Sequence, residues 1–271
     1  MSRTLISACC SIGQKKNGVQ FGGFEIIKHF LEKGKLNLFS DINVCNIKTR
    51  EDYLRLYVKH NNALRTSKPV TIGGDHSISI ATVSSSLRTY KDDLHVIWVD
   101  AHPDLHTSST SISQNTHGMV VGQLLGLDVE HKFVNAKLKP EQLTYIGLRD
   151  VDKAECSVIE NKNIMKYSSQ DVIMQGVQKV INEIKQNTLG KKYHISIDVD
   201  SLKPEIFPCT GTKVNGGLLE TDIQLLLREC YFETVAVDVV EYNPKLGNVA
   251  EVEMCNSIVE RIVDSVYFYD Y

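Results

Sequence analysis

The fold of this chain is constrained most by the regular alternation of short apolar runs with amphipathic stretches. Short runs rich in Val and Ile are typical of buried strands, and hydrophobic residues at helical spacing are typical of helices packed on a sheet. The pattern predicts strands at residues 5–10, 70–72, 95–99, 143–147, 194–197 and 234–239. It predicts helices at residues 24–32, 51–67, 79–89, 172–186, 221–228 and 252–265.

This order, largely β-α-β-α, predicts a mostly parallel central sheet with helices on both faces, a three-layer α/β/α architecture. The 271 residues are 42% hydrophobic, which is enough for one large domain or two small ones. No internal repeat, low-complexity tract or Pro/Gly-rich linker divides the sequence. We therefore expect residues 1–271 to form a single α/β domain.

Charge and cysteine content indicate the compartment and the class of partner. The formal net charge of −3 offers no broad basic field for a nucleic-acid backbone. No apolar stretch approaches the length of a bilayer span, and the apolar core of the N-terminus is too short for a secretory signal. Seven cysteines, an odd number without a C-x-x-C pair, fit a reducing compartment. We expect a cytoplasmic protein that binds small molecules, not nucleic acid or membranes.

Polar residues follow five predicted strands, at the carboxyl ends where open parallel sheets bind their ligands. These strand-end residues are Gly73, Asp100, Arg149, Asp198 and Glu241. Near them lie six side chains of types that bind divalent metals: His76, Asp100, His102, Asp104, Asp198 and Asp200. Taken singly, each motif also fits a turn or a helix cap. The combination is what points to one shared site.

The spacing of the six side chains favours metal binding. Asp100, His102 and Asp104 alternate along an extended segment, so they can point to one side. Four carboxylates close together, with no Lys or Arg between residues 100 and 116, would repel one another unless cations were present. The set predicts two divalent ions about 3.5–4 Å apart and metal-assisted hydrolysis of a small polar substrate.

The chain resembles the ureohydrolases, the family of arginases and agmatinases, over nearly its whole length. The markers are Gly-Gly-Asp-His-Ser at 73–77, Asp-Ala-His-x-Asp at 100–104, Ser-x-Asp-x-Asp at 196–200 and Thr-Gly-Thr at 210–212. The resemblance implies an arginase-like fold and two Mn²⁺ ions per subunit. One ion would be held by His76, Asp100, Asp104 and Asp198, and the other by Asp100, His102, Asp198 and Asp200.

The resemblance also implies catalytic roles. His117 looks like the family's proton shuttle, which would protonate the leaving amine, although without the metal motifs it would be a hydrogen-bonded loop histidine. Glu241 would hold the substrate guanidinium in a charge-assisted pair. Asp104 would orient the attacking hydroxide that the two ions supply. Thr212 would add a polar contact to the substrate, and a simple turn residue is nearly as good an interpretation for it.

Substrate choice is implied by the loop that precedes His117. Its Ser-x-Asn-x-His-Gly sequence resembles the arginase version, in which Ser113 and Asn115 would face the α-carboxylate of L-arginine, a group that agmatine lacks. Asp152 and Glu155 match arginase positions near the α-amino group, and Asp152 also fits the N-cap of a helix. We therefore expect L-arginine as substrate, with L-ornithine and urea as products.

Three residues depart from the arginase pattern. His106 stands where arginases carry an Asn that helps bind the α-carboxylate, and an imidazole can donate one hydrogen bond there. Lys203 and Lys213 replace an Asp and a Pro. Two alternatives therefore stay open: a ureohydrolase for agmatine or another guanidino compound, and a non-catalytic regulatory subunit. Similar proteins are trimers or hexamers, which implies a homo-oligomer.

Overall fold

The computed structural model describes residues 2–128 and 137–267, and a sheet of eight parallel strands lies at its centre. The strands are β1 (Ser2–Cys10), β2 (Asp41–Ile47), β3 (Ser67–Gly73), β4 (Leu94–Val99), β5 (Leu143–Leu148), β6 (Met165–Ser168), β7 (Lys192–Asp198) and β8 (Thr234–Val240). They lie in the order β2-β1-β3-β8-β7-β4-β5-β6, and every neighbouring pair is parallel. The predicted parallel sheet is confirmed.

Helices cover both faces of this sheet. Those of the described segments are α1 (Gly22–Glu32), α2 (Asp52–Ala63), α3 (Ser79–Tyr90), α4 (Val120–Leu124), α5 (Lys153–Asn161), α6 (Ser169–Gln175), α7 (Val177–Asn187), α8 (Glu220–Glu229) and α9 (Val249–Tyr267). Helices α1 and α6 to α9 pack on one face, and α2 to α5 pack on the other. Successive strand residues point to opposite faces, so Ile97 joins the first layer and Trp98 the second. The three-layer α/β/α architecture is confirmed.

Helix α9 completes one of the two helical layers. It has 19 residues and buries Ile258, Ile262 and Val266 in the core on that face of the sheet. The hydroxyl of Tyr267, at its end, donates a hydrogen bond to the carbonyl oxygen of Thr4 at 2.8 Å. Within residues 2–128 and 137–267, neither this helix nor any other has both the length and the apolar character needed to cross a membrane.

Two predicted helices were wrong in extent. The helix predicted at residues 51–67 corresponds to α2 and ends at Ala63, because Ser67 already pairs with Ser2 in the sheet. The segment 172–186 belongs to two helices, since Gly176 between them has φ 81°, a left-handed conformation that interrupts a helix. Strand pairing and one local turn therefore override the apolar periodicity.

The two outermost strands were not predicted from the sequence. Strand β2 leaves most of its residues partly or fully exposed, so its sequence lacks the continuous apolar run of a central strand. Strand β6 has only four residues, and one of them, Tyr167, is buried. Both strands exist because an inner strand offers them backbone partners, which single-chain periodicity does not reveal.

The central strands β3, β8, β7 and β4 bring their carboxyl ends to one edge of the sheet. Gly74, after β3, makes this convergence possible through close backbone contacts. Its N–H donates to the carbonyl of Ala8 at 2.8 Å, and its carbonyl accepts from the N–H of Glu241 at 2.9 Å. A Cβ on Gly74 would stand 2.0 Å from the carbonyl oxygen of Cys10. The position therefore requires glycine for space.

We expect Gly74→Ala to lower the free energy of unfolding by about 1–3 kcal/mol, the usual cost of overpacking. The added methyl would collide with backbone, which cannot turn away as the end of a long side chain can. Urea denaturation measures the loss. Gly118→Ala is the matched control, because its Cβ would meet no heavy atom within 4 Å. An equal loss in the two variants would contradict the close-packing explanation.

Candidate active site

His76 lies at the centre of three buried carboxylates. Its Nδ1 is 3.2 Å from Asp100 Oδ2, 3.2 Å from Asp104 Oδ2 and 3.3 Å from Asp198 Oδ2. Although Nδ1 is fully buried, it has no hydrogen-bond partner among the described residues, so none of these contacts has hydrogen-bond geometry. A buried nitrogen that faces three carboxylate oxygens without a hydrogen bond is suited to donate its lone pair to a cation.

Three contacts orient the imidazole of His76. Its Nε2 lies 2.9 Å from Ser196 Oγ, and its ring stacks on Trp98 with 4.1 Å between centroids and 6° between planes. Its backbone N–H donates to Glu241 Oε1 at 2.9 Å. Trp98 also donates from Nε1 to Asp100 Oδ2 at 3.0 Å. The indole of Trp98 therefore holds both the imidazole of His76 and the carboxylate of Asp100.

A second group of candidate ligands surrounds His102. Its Nδ1 lies 3.5 Å from Asp100 Oδ1 and 3.2 Å from Asp200 Oδ2. Thr212 donates from Oγ1 to Asp200 Oδ2 at 2.6 Å, so a residue predicted to contact the substrate here supports a candidate ligand. Arg149 donates from Nη2 to the backbone carbonyl of Asp200 at 2.6 Å, which fixes the turn that follows β7.

The crowding of these groups shifts their pKa values. Burial, followed by repulsion from Asp200 and Asp100, raises the pKa of Asp198 well above its usual range. Burial and the charge of Asp100 raise the pKa of Asp104 to about 7. Burial lowers the pKa of His76, but its three carboxylate partners outweigh burial and raise it well above its usual range. The raised pKa values of the two carboxyl groups reflect the repulsion that their ionised forms would meet here, and a cation that replaces their protons would relieve that repulsion.

The donor set fits a pair of divalent cations. Beside the strand ends, two groups of donor atoms are each close enough to share one ion: His76 with Asp100 and Asp198, and His102 with Asp100 and Asp200. Asp100 belongs to both groups, and Asp104 adjoins the first. Oxygen-rich sites with one imidazole suit Mn²⁺ and similar ions. All six predicted ligands therefore lie together at the sheet edge.

His117, which is partly exposed, and Glu241, which is buried, form a pair beside this cluster. Nδ1 of His117 is 3.1 Å from Glu241 Oε1, and Gln14 donates from Nε2 to Glu241 Oε2 at 2.6 Å. Burial lowers the pKa of His117, but Glu241 together with the charges of Asp104 and Asp75 outweighs burial and raises it to about 9. Burial raises the pKa of Glu241, but His117 together with the hydrogen bonds from the His76 N–H and from Gln14 lowers it overall. At neutral pH the pair is an imidazolium and a carboxylate.

One open cleft connects these groups with the residues predicted to bind the rest of the substrate. It is lined by His102, Asp104, His106, His117, Gly118, Asp150, Asp152, Glu155, Asp198 and Thr212. The side chain of Asp198 is 5% exposed and that of Asp152 is 52% exposed, so the candidate ligands form the floor and Asp152 lies at the mouth. The cleft is therefore acidic along its whole depth.

The mouth of the cleft is built on the first turn of α5. Asp152 caps the helix, accepting a hydrogen bond from the N–H of Glu155 at 2.9 Å, as the sequence predicted. Glu155 in turn accepts from the N–H of Asp152 at 3.3 Å. His106 Nε2 lies 3.4 Å from Asp152 Oδ2 and 3.8 Å from Glu155 Oε1. His106, one of the residues that depart from the arginase pattern, thus faces the carboxylates of Asp152 and Glu155.

Several residues singled out from the sequence are not among the described residues that line the cleft. His76, Asp100, Asp200 and Glu241 contact side chains of the lining. Ser113, Asn115, Lys203 and Lys213 are also absent from the lining. Ser113 is exposed and accepts a hydrogen bond from the N–H of Asn115 at 3.3 Å, within its own loop. Asn115 directly precedes the short 3-10 turn Thr116–Met119 that carries His117. Ser113 and Asn115, the two residues predicted to bind the substrate carboxylate, are therefore close to His117 along the chain but do not line the cleft.

Sequence reasoning missed three residues that support the site: Gln14, Trp98 and Ser196. Ser196 was visible only as the first letter of the Ser-x-Asp-x-Asp motif, and Trp98 lies in the apolar run before Asp100. Gln14 belongs to the loop after β1, and no local signal links it to Glu241. Each of the three acts through a contact between different strands or loops, which spacing along the chain does not encode.

A family model described as Arginase family matches residues 2–265 of this chain. Among curated proteins, the chain is similar to arginase-2, mitochondrial, of Rattus norvegicus. The two are 32% identical over 284 residues, which cover 92% of this chain and 80% of the rat protein. The sequence similarity thus extends well beyond the metal-ligand motifs.

Solved structures give the same result. The crystal structure of arginase from Bacillus subtilis matches with a TM-score of 0.88 at 28% identity, covering 99% of both chains. The crystal structure of Entamoeba histolytica arginase in complex with L-ornithine matches with a TM-score of 0.87 at 27% identity, covering 98% of both chains. The similarity includes the whole sheet and its helical layers.

Adding Mn²⁺ to metal-stripped protein is expected to raise the Tm by on the order of 5 °C or more. A ligand at 100 times its Kd contributes about 2.7 kcal/mol, and each kcal/mol shifts the Tm by about 2–4 °C in a domain of roughly this size. The physical reason is relief of the repulsion among the buried carboxylates. Scanning fluorimetry in EDTA, and then with Mn²⁺, measures the shift.

Asp198→Asn and Asp152→Asn serve as matched variants for this measurement. Asp198→Asn replaces a proposed ligand carboxylate with an amide, so it should abolish most of the Mn²⁺-induced rise. Asp152→Asn removes an exposed charge at the mouth and should keep that rise. An undiminished Mn²⁺ effect in Asp198→Asn would contradict this assignment of the metal centre.

Proposed function

This chain belongs to the arginase family, and we propose that it hydrolyses the guanidinium group of L-arginine to give L-ornithine and urea. The observation that carries the proposal is one acidic cleft whose lining includes candidate ligands at its floor, His117 beside them and carboxylates at its mouth. His76 and Glu241 contact this lining through Asp104 and His117. The names of the similar proteins, arginase and arginase in complex with L-ornithine, support the same substrate and product.

We propose two Mn²⁺ ions as the resident metals. His76, Asp100, Asp104 and Asp198 would hold one ion, and Asp100, His102, Asp198 and Asp200 would hold the other. Bound at the floor of the cleft, they would supply the positive charge that makes a water molecule nucleophilic near neutral pH. The buried and unpartnered Nδ1 of His76 supports this assignment.

Glu241 would fix the substrate guanidinium over the floor of the cleft. Its carboxylate is ionised, is almost fully buried and has a further acceptor site on Oε2 beside the hydrogen bond from Gln14. A charge-assisted contact there would hold the planar guanidinium in one orientation. Thr212 would act mainly by holding Asp200, since its hydroxyl proton is already donated to Asp200 Oδ2 in a hydrogen bond of 2.6 Å.

In the reaction, the oxygen of water forms a bond to the guanidinium carbon, and the bond from that carbon to the side-chain nitrogen breaks. The amine leaves well only when it gains a proton. His117 is protonated through its contact with Glu241 and lines the cleft, so it can donate that proton. The second oxygen of Asp104 would orient the attacking water.

The preference for L-arginine over agmatine would be set at the mouth of the cleft. Asp152 and Glu155 would accept hydrogen bonds from the α-ammonium group. Ser113 and Asn115 would donate to the α-carboxylate. His106 stands where arginases carry an Asn and is within 3.4 Å of Asp152. It would therefore share that carboxylate with the substrate.

We also propose the wider organisation of the protein. Residues 1–271 would form one catalytic domain, since both the family model and the solved arginase structures match nearly all of the chain. The subunits would form a homo-oligomer, a trimer or hexamer, which light scattering during gel filtration would measure. All seven cysteines are free, which fits a reducing compartment such as the cytoplasm. Cell fractionation would test the location.

The test of the function is urea release from L-arginine and from agmatine by protein that has been stripped of metal and reloaded with Mn²⁺. We expect turnover of L-arginine only, because agmatine would leave the carboxylate donors unpaired. Asp152→Ala should raise KM for L-arginine. Turnover of agmatine instead would contradict the substrate assignment. No urea from either compound, with Mn²⁺ bound, would point to another guanidino substrate or to a non-catalytic subunit.

His117→Ala is expected to lower kcat for L-arginine by about 10²–10⁴, the range for loss of a positioned general acid. The Mn²⁺-induced rise in Tm should stay unchanged, because His117 is not a proposed ligand. Steady-state kinetics and scanning fluorimetry on the same preparation measure both effects. A kcat within a few-fold of the unmodified protein would exclude His117 as the proton donor.

A further inference from the structure

A chain of buried hydroxyl groups connects His76 with a carboxylate that no step of the proposed reaction uses. Nε2 of His76 is 2.9 Å from Ser196 Oγ, and Ser196 Oγ is 3.2 Å from Ser79 Oγ. Ser79 Oγ donates to Asp238 Oδ2 at 2.9 Å. The side chains of His76, Ser196, Ser79 and Asp238 are buried beneath the proposed metal centre, between the sheet and α3. Bulk water therefore does not compete with these contacts.

The direction of each hydrogen bond in this chain follows from the number of protons available. The ionised carboxylate of Asp238 can only accept, so Ser79 gives its single hydroxyl proton to Asp238. Ser79 can then only accept from Ser196, whose own proton is thereby used. Ser196 can in turn only accept from His76, which must carry a proton on Nε2. The other ring nitrogen, Nδ1, is the one that faces the three carboxylates.

One oxygen of Asp238, Oδ2, is surrounded by donors at the far end of this series of hydroxyl groups. Besides Ser79, its Oδ2 accepts from Thr82 Oγ1 at 2.5 Å and contacts His194 Nε2 at 3.0 Å. The Nδ1 of His194 is fixed in turn by Ser86 at 2.8 Å. Burial raises the pKa of Asp238, but His194 together with His60 and Thr82 outweighs burial and lowers it to about 2. The acceptor that sets the direction of the chain is therefore ionised.

We propose that Asp238 acts through Ser79 and Ser196 to hold the proton of His76 on Nε2, and so keeps Nδ1 available to a divalent cation. Ser79 and Asp238 are thus positioning residues for the metal centre and do not touch the substrate. A carboxylate that accepts from the outer nitrogen of a ligating histidine fixes the ring and increases its basicity. Here two hydroxyl groups separate the carboxylate from the ring. The inference rests on the proposed metal centre.

The first test measures Mn²⁺ affinity in Ser79→Ala. Loss of a supporting contact of this kind costs about 10–100-fold in metal affinity, and we expect this increase in Kd for one of the two ions. Electron paramagnetic resonance of free Mn²⁺ during a titration measures both dissociation constants. Ser85→Ala is the matched control. Ser85 is equally buried on α3, but its hydroxyl contacts His60 at 2.9 Å instead of the chain to His76.

A second readout separates positioning from general stability. In Zn²⁺-loaded protein, the Nε2 proton of His76 should give a downfield NMR signal, because Ser196 is a polarised acceptor. Ser79→Ala should move this signal upfield, and Ser85→Ala should leave it in place. If both variants lose only thermal stability, and Mn²⁺ affinity and the NMR signal of His76 stay unchanged, then Asp238 does not position the His76 proton through Ser79 and Ser196. If the unmodified protein binds no Mn²⁺, the metal centre itself is wrong.

Discussion

Four buried carboxylates that share two imidazoles are the constraint on which the rest of this site depends. Like charges so close together repel strongly, and each must be held by donors that do not move. The turn after each strand supplies such donors: the N–H of His102 donates to Asp100 at 2.7 Å, and the N–H of Asp200 donates to Asp198 at 2.8 Å. Trp98, Thr212 and Arg149 add further contacts from three other places in the chain. These contacts hold the four carboxyl groups at the sheet edge in a fixed arrangement.

The backbone is strained where two of the proposed catalytic carboxylates lie. Asp104 has φ 51° and Glu241 has φ 66°, values in the left-handed region that non-glycine residues rarely adopt. Hydrogen bonds hold both conformations: the carbonyl of Asp104 accepts from Val121 at 3.0 Å, and the N–H of Glu241 donates to Gly74 at 2.9 Å. The mouth of the cleft differs, because Asp152 is half exposed and also serves as a helix cap. In the proposed reaction, the buried floor would carry out the chemistry and the more exposed mouth would select the substrate.

Much of the fold could be predicted from the sequence, because buried parallel strands and amphipathic helices leave strong periodic patterns. The inner strands and most helices follow those patterns. The edge strand β2 did not, since a strand exposed on its outer side needs no apolar run. The break at Gly176 and the early end of α2 at Ala63 were also missed. In both places, a local turn or a pairing with distant backbone decided the outcome.

The sequence by itself determined the fold class, the strand ends that carry polar residues and the six candidate metal ligands, because spacing along one strand or turn places these groups. Only the tertiary structure decided how His76 is oriented, through Trp98 and Ser196, and that Gln14 contacts Glu241. It also decided that Thr212 supports Asp200 and that His106 faces Asp152. The physical reason is that hydrogen bonds and stacking depend on distances between segments far apart in the chain, which residue order does not contain.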